Sequence, residues 1–247
     1  MTLHDIVEEK VLERIKPKPE EYRLIHEKFS LIKDLIENYM REHGYIVEAS
    51  LQGSIAHDTW LSGDRDVDVF VLFDKSISVN ELKDKCFKLL LDSIRERFKY
   101  ELRYAEHPYI RLYVDEVVFD IVPAYKLESP SEIKTAVDRT PFHTMYLNSK
   151  LTPWLRDQVR LLKRFMKNIG VYGAEVKTRG FSGYVAELLV VVFNGFRNVL
   201  REASKWKIPV FINTLGYRDE DFKAICKRLK RKYPDSVIYI PDPVDPE

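Results

Sequence analysis

The chain has 247 residues and a net charge of +1, with 45% of residues hydrophobic and 32% charged, a globular composition suited to one large domain or two modest ones. It excludes a membrane-spanning helix, because no apolar run reaches the roughly 20 residues required and the longest, YVAELLVVVF, is broken by Glu187. The acidic start, MTLHDIVEEKVLER, has no signal-peptide core, and Cys86 and Cys226 alone make neither a disulfide framework nor a paired metal motif, which points to a reducing cytoplasm.

In PEEYRLIHEKFSLIKDLIENYMREHG, Leu24, Phe29, Ile32, Leu35, Ile36 and Tyr39 recur at helical spacing and Gly44 stops the run, so a helix is predicted over 19–44. YIVEASLQG (45–53) reads as a strand, GSIAHDTW as a turn with a short helix, and DVDVFVLF (66–73) as a second strand. A second amphipathic helix follows over 79–98, then strands over 100–105, 109–114 and 117–124, the last two joined through Asp115-Glu116. AVDRTPFH (136–143) reads as a loop. Beyond it the spacing predicts helices over 152–170, 181–206 (capped by Ser182) and 218–233, and a short strand over 236–240. The expected fold is therefore α+β: a mixed sheet with flanking helices over 1–145, then a mostly helical domain over 146–247. The two parts differ in charge. Residues 150–247 hold 19 Lys and Arg against 11 Asp and Glu, while residues 1–149 hold 21 against 28, so a basic back half is suited to a polyanion.

In the second strand, Asp66 and Asp68 are two residues apart and point the same way. Two carboxylates so placed repel unless a cation or proton lies between them, and hard oxygen ligands suit Mg²⁺ together with substrate phosphates. Asp120 sits between Phe119 and Ile121, where an ionised carboxylate is expensive to bury without a metal or partner. Gly53-Ser54 precedes a short helix, whose first N–H groups can receive a phosphate. Any one of these signals is weak. A lone D-x-D is usually a solvated face and a lone Gly-Ser is mostly a turn.

Taken together, the Gly-Ser turn, the D-x-D strand and the later strand aspartate resemble the nucleotidyltransferase superfamily of DNA polymerase beta type. GSIAHDTW, RYAEHPY, DIVPAYKL, TAVDRTPFH, VRLLKRFMKNIGVYGAE and RGFSGYVAELL narrow this to the archaeal, class I CCA-adding enzymes. The resemblance implies a nucleotidyltransferase head and a helical neck. It implies template-independent addition of C, C and A to the tRNA 3′ end from CTP and ATP, with Asp66, Asp68 and Asp120 as catalytic ligands of two Mg²⁺ ions. It also places Gly53, Ser54, His57, His143, Lys163 and Tyr172 against the nucleotide, and Arg139 and Thr140 near its sugar or the adjoining loop. Where the family carries Arg or Lys, this chain has His57, mostly neutral at pH 7. His107 reads as structural. In the family, the segment after DPVD continues into tRNA-gripping body and tail domains, so a catalytic fragment is expected. A cytoplasmic location, no membrane partner and an open question of a homodimer complete the expectation. The alternatives are another polymerase-beta-type transferase (a poly(A) polymerase or an oligoadenylate-synthetase-like enzyme) and a non-catalytic RNA-binding module.

Overall fold

Alternating apolar residues pair into a five-stranded mixed sheet with the order β1-β2-β5-β4-β3. A computed structural model describes residues 3–104, 107–174, 178 and 180–245. Ala105, which ends the third predicted strand, lies outside them, as do Glu106 of RYAEHPY, Glu175 of YGAE, Arg179 of RGFSGY and the last two residues. The chain divides into two compact units: residues Arg14–Met145, and the N-terminal helix together with the chain from Tyr146 onward.

The N-terminal helix, α1 (Leu3–Ile15), has no counterpart in the periodicity reading. Its Asp5 and Glu8 both pair with Arg197, so its place depends on a partner far along the chain. In the unit formed by Arg14–Met145, α2 (Pro19–Glu42) begins with Pro19 and a bond from the Lys18 amide to Glu21, and buries Ile25, Ile32, Ile36 and Met40 along one stripe. β1 (Glu48–Gln52) leads through the four-residue α3 (Gly53–Ala56) into β2 (Asp66–Phe73). The second predicted helix is α4 (Val79–Glu81), a π-helical stretch Leu82–Cys86, and α5 (Phe87–Ile94). β3 (Lys99–Tyr104), β4 (Pro108–Val114) and β5 (Val117–Tyr125) complete the sheet.

β2 runs antiparallel to β1 and parallel to β5, and β4 runs antiparallel to both β5 and β3. The inward side chains Val67, Val69, Val71, Phe119 and Ile121 pack with the buried stripe of α2 and with Leu82, Leu90 and Ile94. One sheet face is therefore the main core of this unit, while the opposite face carries polar groups at one end and a smaller apolar cluster of Phe70, Val122 and Ala124 at the other. AVDRTPFH is not a loop. A 3₁₀ turn, Ala136–Asp138, enters α6 (Arg139–Lys150), because the fully buried Asp138 carboxylate accepts bonds from the Lys134, Thr135 and Tyr125 amides and caps the turn.

In the other unit, α7 (Pro153–Asn168) is capped by Thr152 and α8 (Gly183–Phe193) by Ser182, as the sequence suggested for the latter. The helix predicted over 181–206 is two helices, α8 and α9 (Phe196–Ala203), bent by 93°. Asn194 adopts the left-handed conformation (φ 53°), and a side chain at Gly195 would meet the Trp154 ring at 2.8 Å. Among the described residues no single helix is long and apolar enough to cross a membrane. β6 (Val210–Phe211), which the sequence did not suggest, pairs in parallel with β7 (Ile238–Tyr239), with α10 (Asp219–Lys232) between them.

Candidate active site

The parallel pairing of β2 with β5 puts Asp68 directly opposite Asp120, and pleat alternation keeps Asp66 on the same face. Asp120, distant in sequence, thus joins Asp66 and Asp68 on the face turned away from the main core. Their environments differ. The Asp66 side chain is 75% exposed and that of Asp120 only 17%. Burial first, then the charges of Asp120 and Asp66, push Asp68 up from the ordinary carboxylate range to about 6, against the opposing pull of His57 and Arg111.

Arg111 on β4 is the cross-strand partner of Asp120, and its guanidinium grips that carboxylate with both arms, Nε to Oδ1 at 2.8 Å and a terminal nitrogen to Oδ2 at 2.7 Å. The same nitrogen lies 4.0 Å from Asp66. This hydrogen-bonded pairing raises the Arg111 pKa. The sequence reading did not single out Arg111; alternation along β4 put it on the polar face, but nothing local names its partner.

Gly53 has φ +62° at the turn from β1 into α3, and a Cβ added there would lie 2.3 Å from Asp68 Oδ2. The turn packs its bare backbone against the acid, which explains why Gly-Ser precedes D-x-D. α3 is too short to build a strong dipole, so the turn offers local amide groups and the Ser54 hydroxyl instead. Gly53→Ala is expected to destabilise the fold by about 1–2 kcal/mol through left-handed strain. By displacing Asp68, it is also expected to disturb the carboxylate cluster. Denaturant melts of the variant and the original protein measure the loss; equal stability would contradict the strain.

His57 ends α3 almost fully buried, with Nε2 3.1 Å from the Thr144 hydroxyl of α6. That contact ties the Gly-Ser turn to the helix that carries His143, on the residue next to it. Thr140 of α6 lines a cleft of about 360 Å³ together with Asp68, Asp120, Tyr109 and His107. His107 was read as structural, and one ring nitrogen is indeed held by the Pro123 backbone, with burial lowering its pKa. Its Nε2 is buried with no hydrogen-bond partner among the described residues.

Lys163 and Tyr172 belong to the other unit and form a cluster of their own. Lys163 is not a solvated helix lysine: it is 2% exposed and bonds Glu187 at 2.9 Å. A Cβ on Gly183 would meet the Tyr172 hydroxyl at 3.0 Å and Lys163 Nζ at 3.9 Å, so the glycine leaves room for both. Glu187, noticed in the sequence only as a break in an apolar run, is a buried partner of this amine.

Among the described residues, no three His, Cys, Asp or Glu side chains stand as a closed metal cage, both Asp120 oxygens being committed to Arg111. The donor set nonetheless fits a hard divalent cation: three carboxylates against one guanidinium leave an excess negative charge, and the raised Asp68 pKa records it.

A mixed sheet bearing these aspartates beside a glycine turn defines a nucleotidyltransferase fold, and residues 32–143 match the family model for the nucleotidyltransferase domain. Members of that family generally use divalent metal ions. Residues 157–247 match the tRNA nucleotidyltransferase second domain. The chain is 46% identical over 241 residues to the CCA-adding enzyme of Sulfurisphaera tokodaii and 42% identical over 241 residues to that of Sulfolobus acidocaldarius. Each match takes in 98% of this chain and 53% of the relative, so the chain spans about half the length of the curated relatives it matches. It belongs to the nucleotidyltransferase superfamily and, within it, is a homologue of the archaeal CCA-adding enzymes. Among solved structures, it resembles a cytoplasmic RNA terminal U-transferase (TM-score 0.56, 20% identity, 76% of this chain and 51% of that one). It also resembles CdnC of E. coli MS115-1 in its HORMA-deltaN complex (TM-score 0.63, 15% identity, 98% and 81%). Identities this low speak for the fold alone.

Proposed function

We propose that this chain is the catalytic part of an enzyme that adds C, C and A to the 3′ end of tRNA from CTP and ATP without a nucleic-acid template. The observation that carries the reading is sequence identity of 46% to a CCA-adding enzyme running through 98% of the chain. The tRNA 3′ oxygen attacks the α-phosphorus of the nucleotide, the bond to the bridging oxygen breaks, pyrophosphate leaves, and the hydroxyl proton passes to solvent water. Asp66, Asp68 and Asp120 are the residues that would hold Mg²⁺, the hard cation that suits paired carboxylates and phosphates. Bound there, the metal supplies acidification of the attacking hydroxyl and charge balance for the leaving pyrophosphate.

The chain's own groups do the rest. Gly53 and Ser54 offer an amide and a hydroxyl, donors of the kind a triphosphate needs, whereas His57 and Lys163 are buried against Thr144 and Glu187. The basic balance of residues 150–247 suits the tRNA backbone, and salt is expected to weaken that contact steeply. Cys86 and Cys226 are unpaired, in keeping with a cytoplasmic enzyme. The domain division we favour, a head through residue 145 and a neck after it, assigns the carboxylates to the head and Lys163 and Tyr172 to the neck.

The test presents tRNA ending at its discriminator base with each labelled nucleotide in turn. Incorporation of C first, A only after two Cs, and neither U nor G is expected. Preferential use of UTP, or repeated addition of A alone, would point to another terminal transferase.

A further inference from the structure

Arg111 occupies the place where a positive charge is needed. It faces Asp120 across the sheet, uses both carboxylate oxygens, and reaches toward Asp66, so one guanidinium bridges two of the three acids. Its side chain is 28% exposed, buried enough to make the contact selective and open enough to let it turn outward. A carboxylate gripped at both oxygens by a fork keeps only one further lone pair on each oxygen, so a metal has to share the group with the guanidinium.

We propose that Arg111 is a built-in counter-cation: it takes one lone pair of each Asp120 oxygen, so a divalent ion has to share that carboxylate with the guanidinium or displace one of its arms. Metal loading and the Arg111–Asp120 pair are then competitive, and the arginine sets the metal affinity of the site. The inference rests on the reading of the three aspartates as metal ligands, and adds to it a residue that contributes no ligand atom.

Two measurements on the 247-residue chain test it. In the first, Mn²⁺ binding is followed by calorimetry in the original protein and in Arg111→Lys. Lysine keeps the charge but loses the fork, so the competition model predicts tighter binding, by about tenfold, the equivalent of about 1.4 kcal/mol. In the second, the Arg111 Nε–H resonance of the original protein is followed by ¹⁵N NMR during Mg²⁺ addition, and it is expected to shift with the binding curve of the metal. Equal affinities with an unmoved Nε–H signal, while metal binds, would overturn the role of Arg111 and leave the metal assignment standing. An affinity gain in Arg111→Gln but none in Arg111→Lys would reduce the effect to charge alone and also overturn it. If neither protein binds Mn²⁺, the metal assignment itself falls, and this inference with it.

Discussion

Asp68→Asn is expected to abolish nucleotide transfer and, at the same time, to stabilise the metal-free protein at pH 7.5. The two effects share one cause. Asp68 lies opposite Asp120, packed against Gly53, in a site whose burial and like charges raise it to about 6. A carboxyl with a raised folded pKa binds its proton more tightly folded than unfolded. Its contribution therefore falls as pH rises from the ordinary aspartate value of 3.8 to about 6, and the full penalty is present above that. At 1.36 kcal/mol per unit, the penalty is on the order of 2–3 kcal/mol at pH 7.5. Asparagine keeps the shape and removes the charge, so the melting temperature should rise at pH 7.5, and its advantage should shrink as pH drops toward 4. Transfer should fall by at least about 10³-fold, since a metal-held charge at the reacting phosphate is worth several kcal/mol. Melting curves of both proteins from pH 4 to 8, with and without Mn²⁺, check this. Metal should stabilise the original protein and leave the variant almost unmoved. Parallel pH profiles, or a variant less stable at pH 7.5, would contradict the account.

The second large effect belongs to Glu187 and Lys163, whose side chains are each 3% exposed and 2.9 Å apart. Breaking a buried ion pair leaves one charge without compensation, which costs about 3–5 kcal/mol, whereas replacing both members with apolar residues is often neutral. Glu187→Leu should therefore destabilise the chain by that amount, and the double variant Lys163→Met/Glu187→Leu should recover most of the loss. If Lys163 contacts the triphosphate, the recovered double variant still binds CTP weakly. Urea melts and calorimetric CTP titrations separate the two properties. A Glu187→Leu protein within about 1 kcal/mol of the original would show that the pair carries little.

Much of the site was legible because its signals are local. The two-residue period that places Asp66 beside Asp68 is a property of any strand, and Asp120 stands out because its neighbours Phe119 and Ile121 predict burial. Helical spacing in α2 and the serine before α8 likewise need only a few consecutive residues to be read. His57, His143, Lys163 and Tyr172 came from family resemblance, since none carries a local signal of its own.

What local pattern could not supply is partnership. AVDRTPFH contains Pro141 and reads as a loop until Asp138 receives three backbone amides and starts a helix. α1 was passed over because its charged residues pair with Arg197, near the other end of the chain. Sequence alone determined that this protein holds an acidic strand face beside a glycine turn, in a family that transfers nucleotides. Tertiary structure alone decided that β5 lies parallel to β2 in a register bringing Asp120 opposite Asp68, that Arg111 answers Asp120, and that Glu187 answers Lys163. The physical reason is the range of the interactions. Periodicity records which way a side chain points, whereas the neighbour it meets depends on strand order and helix packing, which many separated residues set together.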